Sequence, residues 1–243
     1  MRTRTPMTFR PYPGLTIACV LLFAILCGLG TWQLERLQWK LALIATVNSH
    51  MAAAPVSLDE VLAMNPDQAQ YRRVRLNGRF DHGRETYVFA TDQGAAVYHV
   101  FTPFTTDDGK VVMVDRGEVP KEKLNPATRA SGNVNGPVQV IGVWRIPDAP
   151  NLLFTPPPEA ERRIWYAREP AMIAAVDHLN LAAPVVIEAD ATPNPGGWPR
   201  GGQTMVSFRN QHLSYAVTWF GLALCLLGVW LAYHISKGRI VLK

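Results

Sequence analysis

Two uncharged apolar stretches lie near the two ends of the chain. Residues 15–34 read LTIACVLLFAILCGLGTWQL, and residues 215–233 read YAVTWFGLALCLLGVWLAY. The hydrocarbon core of a bilayer is about 30 Å thick, and roughly 20 helical residues cross it. The pattern therefore predicts two transmembrane helices that flank a large segment, residues 35–214.

The apolar pattern of the first helix continues beyond the predicted span at helical spacing. Leu37, Leu41, Ile44 and Val47 share one face. This periodicity predicts a helical stalk that leads into the outer domain. Further on, Ser57 precedes Glu60 by three residues, the spacing of a capping box, which predicts a short helix over residues 58–64.

The middle of the chain has the pattern of strands. Runs rich in β-branched and aromatic residues, separated by turn residues, predict strands over residues 71–80, 85–90, 97–104, 110–115, 138–145, 164–168 and 184–189. A helix is predicted over residues 169–179. Because short connections favour antiparallel neighbours, we expect an α+β outer domain with a mostly antiparallel sheet or partly closed barrel.

Small residues recur along the second apolar stretch at steps of three and four. They are Ser214, Thr218, Gly221, Cys225, Gly228 and Ala232. The first stretch offers Ala24, Cys27, Gly28 and Thr31. Small residues let helix backbones approach closely in lipid, which predicts that these faces pack, either on each other or on a helix of a partner.

The net charge of +5 comes from the ends of the chain. Residues 1–14 carry three arginines and residues 234–243 carry three basic residues, with no acid in either tail, whereas the rest holds 18 basic and 19 acidic residues. This balance gives no indication of nucleic-acid binding. Short basic tails remain in the cytoplasm, so we expect both termini inside and residues 35–214 in the periplasm.

A cleaved signal peptide is the competing interpretation of the N-terminus. The sequence MAAAP at residues 51–55 offers an Ala-x-Ala site. That site lies about eighteen residues beyond the apolar run, which is too far for normal processing. The absence of a long transit peptide favours a bacterial inner membrane over import into a mitochondrion.

Few residues of the outer domain indicate catalysis. All three cysteines, Cys19, Cys27 and Cys225, lie in the apolar stretches, so a disulfide framework or thiolate metal site is not expected outside the membrane. The chain contains no Gly-x-Ser-x-Gly, no His-Glu-x-x-His and no phosphate loop. We therefore expect no enzyme; a membrane-tethered enzyme would need a polar pocket that the sequence does not indicate.

Five of the six histidines have ordinary interpretations. His50 and His178 are expected to be exposed, His82 to be solvated in a turn, and His99 to be a satisfied core residue. For His234, beside the basic tail, an interfacial role is sufficient.

His212 differs because it precedes the second apolar stretch by about one turn. Tyr215 and Trp219 follow at helical spacing on the same side. A neutral imidazole is a good axial ligand for haem iron. Tyrosine and tryptophan are also common anchors at membrane interfaces. The spacing leaves both interpretations open.

Four segments of the chain resemble the surfeit locus protein one family of cytochrome c oxidase assembly factors. They are LGTWQLERLQWK (29–40), VDRGEVP (114–120), RIWYARE (163–169) and RNQHLSYAVTWFGLAL (209–224). The second of them resembles the central strand motif of the family, an arginine-glycine turn that ends in proline. The four segments occur in the order typical of the family and lie between and within two predicted spans.

This resemblance implies a role in building haem–copper oxidases, at the step where haem a enters the catalytic subunit. The histidine and tryptophan of the closing segment, His212 and Trp219, would then hold haem a, with His212 as the iron ligand and Tyr215 beside them. Arg209 would pair with a propionate, and Arg200, Arg36 and Lys40 are further cations for this purpose.

The expected partners are the oxidase catalytic subunit, the enzymes that make haem a, and membrane lipid. The alternative is a haem-free scaffold that stabilises a half-built oxidase subunit through its helices and outer sheet.

Overall fold

The computed structural model describes residues 8–147, 149–151, 153–204 and 210–241. The helices are α1 (Pro13–Ala52), α2 (Leu58–Leu62), α3 (Pro66–Ala69), α4 (Pro170–Val176) and α5 (His212–Ser236). The strands are β1 (Thr8–Phe9), β2 (Val56–Ser57), β3 (Arg73–Phe80), β4 (Thr86–Asp92), β5 (Ala95–Thr106), β6 (Val111–Pro120), β7 (Val138–Arg145), β8 (Ile164–Trp165), β9 (Leu181–Ala189) and β10 (Ile240–Val241). The chain divides into an end unit (Met1–Ala45 and Ser207–Lys243) and a sheet unit (Thr46–Val206).

Helices α1 and α5 are long enough and apolar enough to cross a membrane. Only 6% and 11% of their most apolar windows are buried within the protein, so most of their apolar side chains face outward. A helix in the core of a soluble protein would instead be largely buried. These two helices suggest a membrane protein. As predicted, α1 continues without a break beyond its most apolar part, to Ala52.

Long side chains connect the two helices of the end unit. A methyl group added at Gly30 of α1 would lie 2.7 Å from Cζ of Phe220 on α5, so the phenylalanine ring fills the space over this glycine. Further along, the indole N–H of Trp230 donates to the Thr16 hydroxyl at 3.2 Å. The two helices therefore contact each other, a choice that the sequence left open.

The predicted small-residue face does not form this contact. On α5 the buried apolar residues are Ala216 and Ala223, and five of the six predicted small residues are exposed. A methyl group added at Gly221 or Gly228 would meet nothing within 4 Å. Of the two predicted alternatives, packing of this face on α1 is therefore wrong, because large side chains on the other side of α5, such as Phe220, fill the space between the helices. Packing of this face on a helix of a partner stays a prediction.

The ends of the chain meet in a two-stranded antiparallel ribbon. In it β1 pairs with β10, with Phe9 opposite Ile240. Next to the ribbon His234 is fully buried, against the interfacial position expected for it. Its Nδ1–H donates to the Trp230 carbonyl at 2.8 Å, and its Nε2 accepts the Tyr12 amide N–H at 3.1 Å. These bonds use both ring nitrogens of a neutral imidazole.

The sheet unit starts with the predicted capping box. Ser57 Oγ accepts the Glu60 amide N–H at 3.2 Å, and a Glu60 carboxylate oxygen accepts the Ser57 amide N–H at 2.7 Å. The two side chains satisfy two of the free amides at the start of α2. The box therefore fixes the point at which the chain turns from the first helix toward the sheet.

The sheet closes partly into a barrel. Its strand order is β2-β3-β7-β9-β6-β5-β4-β8, and an additional β3–β5 pairing joins five strands into a ring. Most pairings are antiparallel, whereas β2–β3, β4–β8 and β6–β9 are parallel. β3 passes from β7 to β5 at Gly78, where a Cβ would lie 2.1 Å from the Thr105 carbonyl oxygen. The predicted fold class is confirmed.

Successive residues of the central strands fill two apolar clusters. On β6, Val112 and Val114 belong to the larger cluster, and Met113 belongs to a second cluster with Trp165 and Ile173. This follows from the period of two in a strand, which places alternate side chains on opposite faces. The second cluster is where α4 and β8 cover the outside of the ring.

The segment VDRGEVP lies within strand β6, as its resemblance to a central strand motif implied, and the strand has a bulge at the Arg116–Gly117 position, where the motif implied a turn. β6 runs through to Pro120, and its register against β5 shifts between His99 and Phe101. Arg116 and Gly117 of β6 form this bulge opposite Val100 of β5, and Gly117 adopts φ +109°, a conformation that favours glycine. Arg116 lies on the face of β6 that Val112 and Val114 occupy, and its side chain is buried.

Candidate functional site

His212 is the first residue of α5, and its ring is held by a side chain of α1. His212 Nδ1 lies 2.8 Å from Oε1 of Gln33. Because an amide oxygen only accepts hydrogen bonds, Nδ1 carries the proton in this pair. Nε2 is then the unprotonated nitrogen, which is the form that binds a metal.

The two other residues predicted beside His212 follow it on α5. Tyr215 is half exposed, and Trp219, seven residues after His212, is partly buried. Two helical turns separate His212 and Trp219, about 10 Å along the axis. They therefore lie on one side of the helix at different heights, as the spacing predicted.

On α1, cationic residues lie on the same side as Gln33. Arg36 and Lys40 follow Gln33 by three and seven residues, spacings that share a helix face. The Arg36 guanidinium lies over the Trp39 ring, 5.1 Å from its centroid. The end unit thus combines a histidine, aromatic rings and cations near the start of α5.

The two other predicted cations are placed differently. Arg209 lies outside the described residues. Arg200 belongs to the sheet unit, where its guanidinium lies 4.1 Å from the centroid of the Trp198 ring and its backbone pairs with Glu118. A propionate contact by either residue stays a prediction.

The donor set suits haem better than a bare metal ion. Within the part of the chain that the structure describes, no group of three or more His, Cys, Asp or Glu residues converges as a metal site. Haem iron needs only one or two ligands from the protein, since the porphyrin supplies the rest. A histidine whose second nitrogen donates to an acceptor is the usual arrangement of a ligand.

Sequence reasoning missed Gln33. Its polar amide near the end of an apolar run was the only feature of the sequence that could have indicated a functional role. Its partner is 179 positions away in sequence, so the pairing required the structure.

In the sheet unit, His99 is buried, as expected of a satisfied core residue. Its Nδ1 lies 2.8 Å from Oδ2 of Asp115, and its Nε2 lies 3.5 Å from a guanidinium nitrogen of Arg168. Burial lowers the pKa of His99, but the Asp115 carboxylate outweighs this effect and the net pKa is raised. Nε2 therefore faces a cation, and not a hydroxyl or thiol that it could activate.

We expect His99 to make the stability of the sheet unit fall as pH rises. A raised pKa in the folded state gives stability below the unfolded value of 6.5 that is lost as pH rises through the folded pKa. Thermal unfolding of the full chain in detergent between pH 6 and pH 9 (roughly the range around the histidine pKa) measures this loss. His99→Gln, which does not titrate, should show a flatter profile; equal slopes would contradict the assignment.

A second buried group combines two arginines with one carboxylate. Glu85 Oε2 accepts from Arg116 Nη1 at 3.4 Å, and its Oε1 bonds Nη2 of Arg129. All three side chains are buried. His82, expected to be solvated, is partly buried beside them: its Nε2–H donates to the Val134 carbonyl at 3.0 Å, and burial lowers its pKa. Sequence reasoning missed this cluster.

Two further histidines can be compared with their expectations. His178 is exposed, as predicted. His50, by contrast, was wrongly expected to be exposed: it is partly buried beside Gln70, whose carbonyl oxygen lies 2.9 Å from its Nδ1.

Comparison with known proteins gives one consistent result. The sequence profile of the SURF1 family matches residues 20–224. Surfeit locus protein 1 of Takifugu rubripes is 35% identical over 230 residues, covering 88% of this chain and 94% of its own length. The protein of the same name from Homo sapiens is 37% identical, covering 84% and 72%. A SURF1-like protein of Monosiga brevicollis is 36% identical, covering 93% and 90%.

Proposed function

Because this chain belongs to the SURF1 family of cytochrome c oxidase assembly factors, we propose that it binds haem a and hands it over while the catalytic subunit of a haem–copper oxidase matures. The role is that of a carrier, with no catalysis by its own residues. Its partners are the catalytic subunit and the enzymes that synthesise haem a.

The hydrogen bond between His212 and Gln33 is the observation that carries this proposal. It fixes the proton on Nδ1 and leaves Nε2 with a lone pair, as an axial ligand requires. An interfacial anchor needs no such partner. When bound, haem a would supply the redox-active iron; the chain supplies the ligand and its orientation.

Nearby residues supply further support. Haem a has an apolar tail and two propionates, so a carrier needs both apolar and cationic surroundings. Arg36 and Lys40 lie on the Gln33 side of α1 and suit propionates, and Trp219 offers an apolar ring on the His212 side of α5. Tyr215 is a further contact, and Arg209 remains a sequence-based candidate for a propionate.

We place the protein in a bacterial inner membrane, with both termini in the cytoplasm and the sheet unit in the periplasm. The basic residues of both tails support this orientation. The two apolar helices would then anchor the site at the membrane.

A haem-free scaffold is the second candidate, and one observation favours it. The small-residue face of α5 points away from α1, so it remains accessible to a helix of another protein. A scaffold would use this face to hold a half-built oxidase subunit, and His212 would have no ligand role.

We expect the purified full chain, co-expressed with haem a synthesis enzymes, to carry haem a and His212→Ala to lose at least about nine-tenths of it, because no other imidazole replaces the ligand. Reduced-minus-oxidised spectra in mild detergent measure the haem. Gln33→Leu should retain haem more weakly, since it frees the ring without removing it.

His178→Asn is the matched control, because His178 is exposed and asparagine tolerates its positive φ. It should retain haem like the wild type. Wild type without haem, or haem unaffected by His212→Ala in a folded protein, would favour the scaffold.

A further inference from the structure

A cavity of about 240 Å³ opens in the sheet unit beside the segment between β7 and β8. Two arginines, Arg145 and Arg168, line it together with Glu188. Arg145 Nε lies 3.6 Å from Oε1 of Glu188, and Arg168 bonds the same oxygen. Two cations therefore converge on a single carboxylate oxygen.

The cations of this cavity are more accessible than its carboxylate. The side chains of Arg145 and Arg168 are 21% and 34% exposed, whereas that of Glu188 is 7% exposed. The remaining contacts of Arg168, to Asp115 at 4.0 Å and to His99 at 3.5 Å, are long. The arginines thus retain N–H donors for an anion that enters the cavity.

An apolar pair lies at the rim of the same cavity. Pro150 and Thr155 line the cavity, and between them Leu153 and Phe154 are 88% and 81% exposed. The pair has a defined position, because Asn151 caps the turn. Its carbonyl accepts the amide N–H groups of Phe154 and Thr155 at 3.0 and 2.8 Å.

We propose that this cavity binds the phosphate of an anionic phospholipid headgroup, while Leu153 and Phe154 enter the adjacent acyl region. A soluble anion would account for the arginines and leave the exposed apolar pair without a function. A lipid satisfies both, because its phosphate and acyl chains are adjacent. The chain also carries two helices apolar enough to cross a membrane, and a membrane-tethered protein meets lipid at a high effective concentration.

The test uses the full chain in nanodiscs of phosphatidylcholine, alone or with added phosphatidylglycerol. A spin label at Leu153→Cys, in a background where Cys19, Cys27 and Cys225 are alanine, reports whether this position lies in water or among acyl chains. A label at Glu122→Cys, on an exposed part of the sheet unit, is the control. Neither readout involves haem, so this test is independent of the proposed function.

We expect the label at 153 to move into the acyl region when phosphatidylglycerol is added, and the label at 122 to remain in water. Arg145→Gln should raise by about tenfold the phosphatidylglycerol content at which the label at 153 moves into the acyl region. Arg162→Gln should change it less than about twofold, because Arg162 is an exposed arginine that does not line the cavity. Phe154→Asp, at a position that is 81% exposed, should abolish the movement.

Four results would overturn the proposal. The first is a label that stays in water at every lipid composition. The second is an equal effect of Arg145→Gln and Arg162→Gln, which would indicate general surface charge. Binding of glycerol 3-phosphate without movement of the label would assign the cavity to a soluble phosphate. Movement only on addition of an oxidase subunit would assign the apolar pair to a protein partner.

Discussion

Gly117→Ala is expected to lower the free energy of unfolding of the sheet unit by about 3–5 kcal/mol, at the upper end for one substitution. Gly117 has φ +109°, and a Cβ there would lie 1.8 Å from the Arg200 carbonyl oxygen. That oxygen is fixed, because the backbones of Glu118 and Arg200 exchange two hydrogen bonds of 3.0 Å. The clash must break this pairing or shift β6.

Gly109→Ala separates the clash from the cost of the backbone angle. Gly109 also has positive φ, +84°, but a Cβ there would meet nothing within 4 Å. Its replacement should cost about 1–2 kcal/mol. Denaturant unfolding of the full chain in detergent, followed by tryptophan fluorescence, compares the two. Equal losses would show that Arg200 does not constrain Gly117.

Glu85→Ala is expected to destabilise the same unit by about 3–5 kcal/mol, because it leaves two buried guanidinium groups without their carboxylate. The pKa of Arg116 shows that its buried charge depends on the carboxylate of Glu85. Burial lowers the pKa of Arg116 to about 10, the Glu85 charge raises it, and the Arg129 charge lowers it. Without Glu85 only burial and the Arg129 charge remain, and both disfavour the charged form of Arg116.

Two further variants define this prediction. Glu122→Ala removes an exposed glutamate of the same unit and should change stability by less than about 0.5 kcal/mol. Glu85→Gln keeps the shape and removes the charge, so a large loss in this variant isolates the electrostatic part. A Glu85→Ala protein as stable as Glu122→Ala would mean that the arginines find other partners.

Local patterns predicted the elements well because their causes are local. The capping box at Ser57 needs only two residues that lie three positions apart in the chain, and strand β7 was predicted at its observed bounds, Val138–Arg145. Closure of the barrel was harder to predict from the sequence, since the pairing of Gly78 with Thr106 depends on how far the sheet twists. The sequence therefore left a sheet and a barrel as alternatives.

Contacts between residues distant in the sequence were not predicted, because they depend on how whole elements pack and not on local patterns. The resemblance implied a strand with an arginine-glycine turn at Gly117, but not the bulge found there, because the bulge depends on how β6 pairs with β5 around His99 and Phe101. The small-residue pattern of α5 did not indicate the face that contacts α1, since Phe220 over Gly30 fills the space between the helices. At the candidate site the sequence position made His212 a candidate ligand, which stays a prediction, whereas its hydrogen bond to Gln33 could not be predicted.

The ribbon that joins the two ends of the chain has a consequence for biogenesis. Residues 8–9 cannot pair with residues 240–241 until nearly the whole chain has been synthesised. At about 5–20 residues per second, the first strand waits on the order of ten to fifty seconds for its partner. The buried position of His234, next to this ribbon, likewise forms only then. A truncated chain therefore lacks both the ribbon and the buried His234. A cellular protease could use this structural difference to distinguish unfinished copies from finished ones.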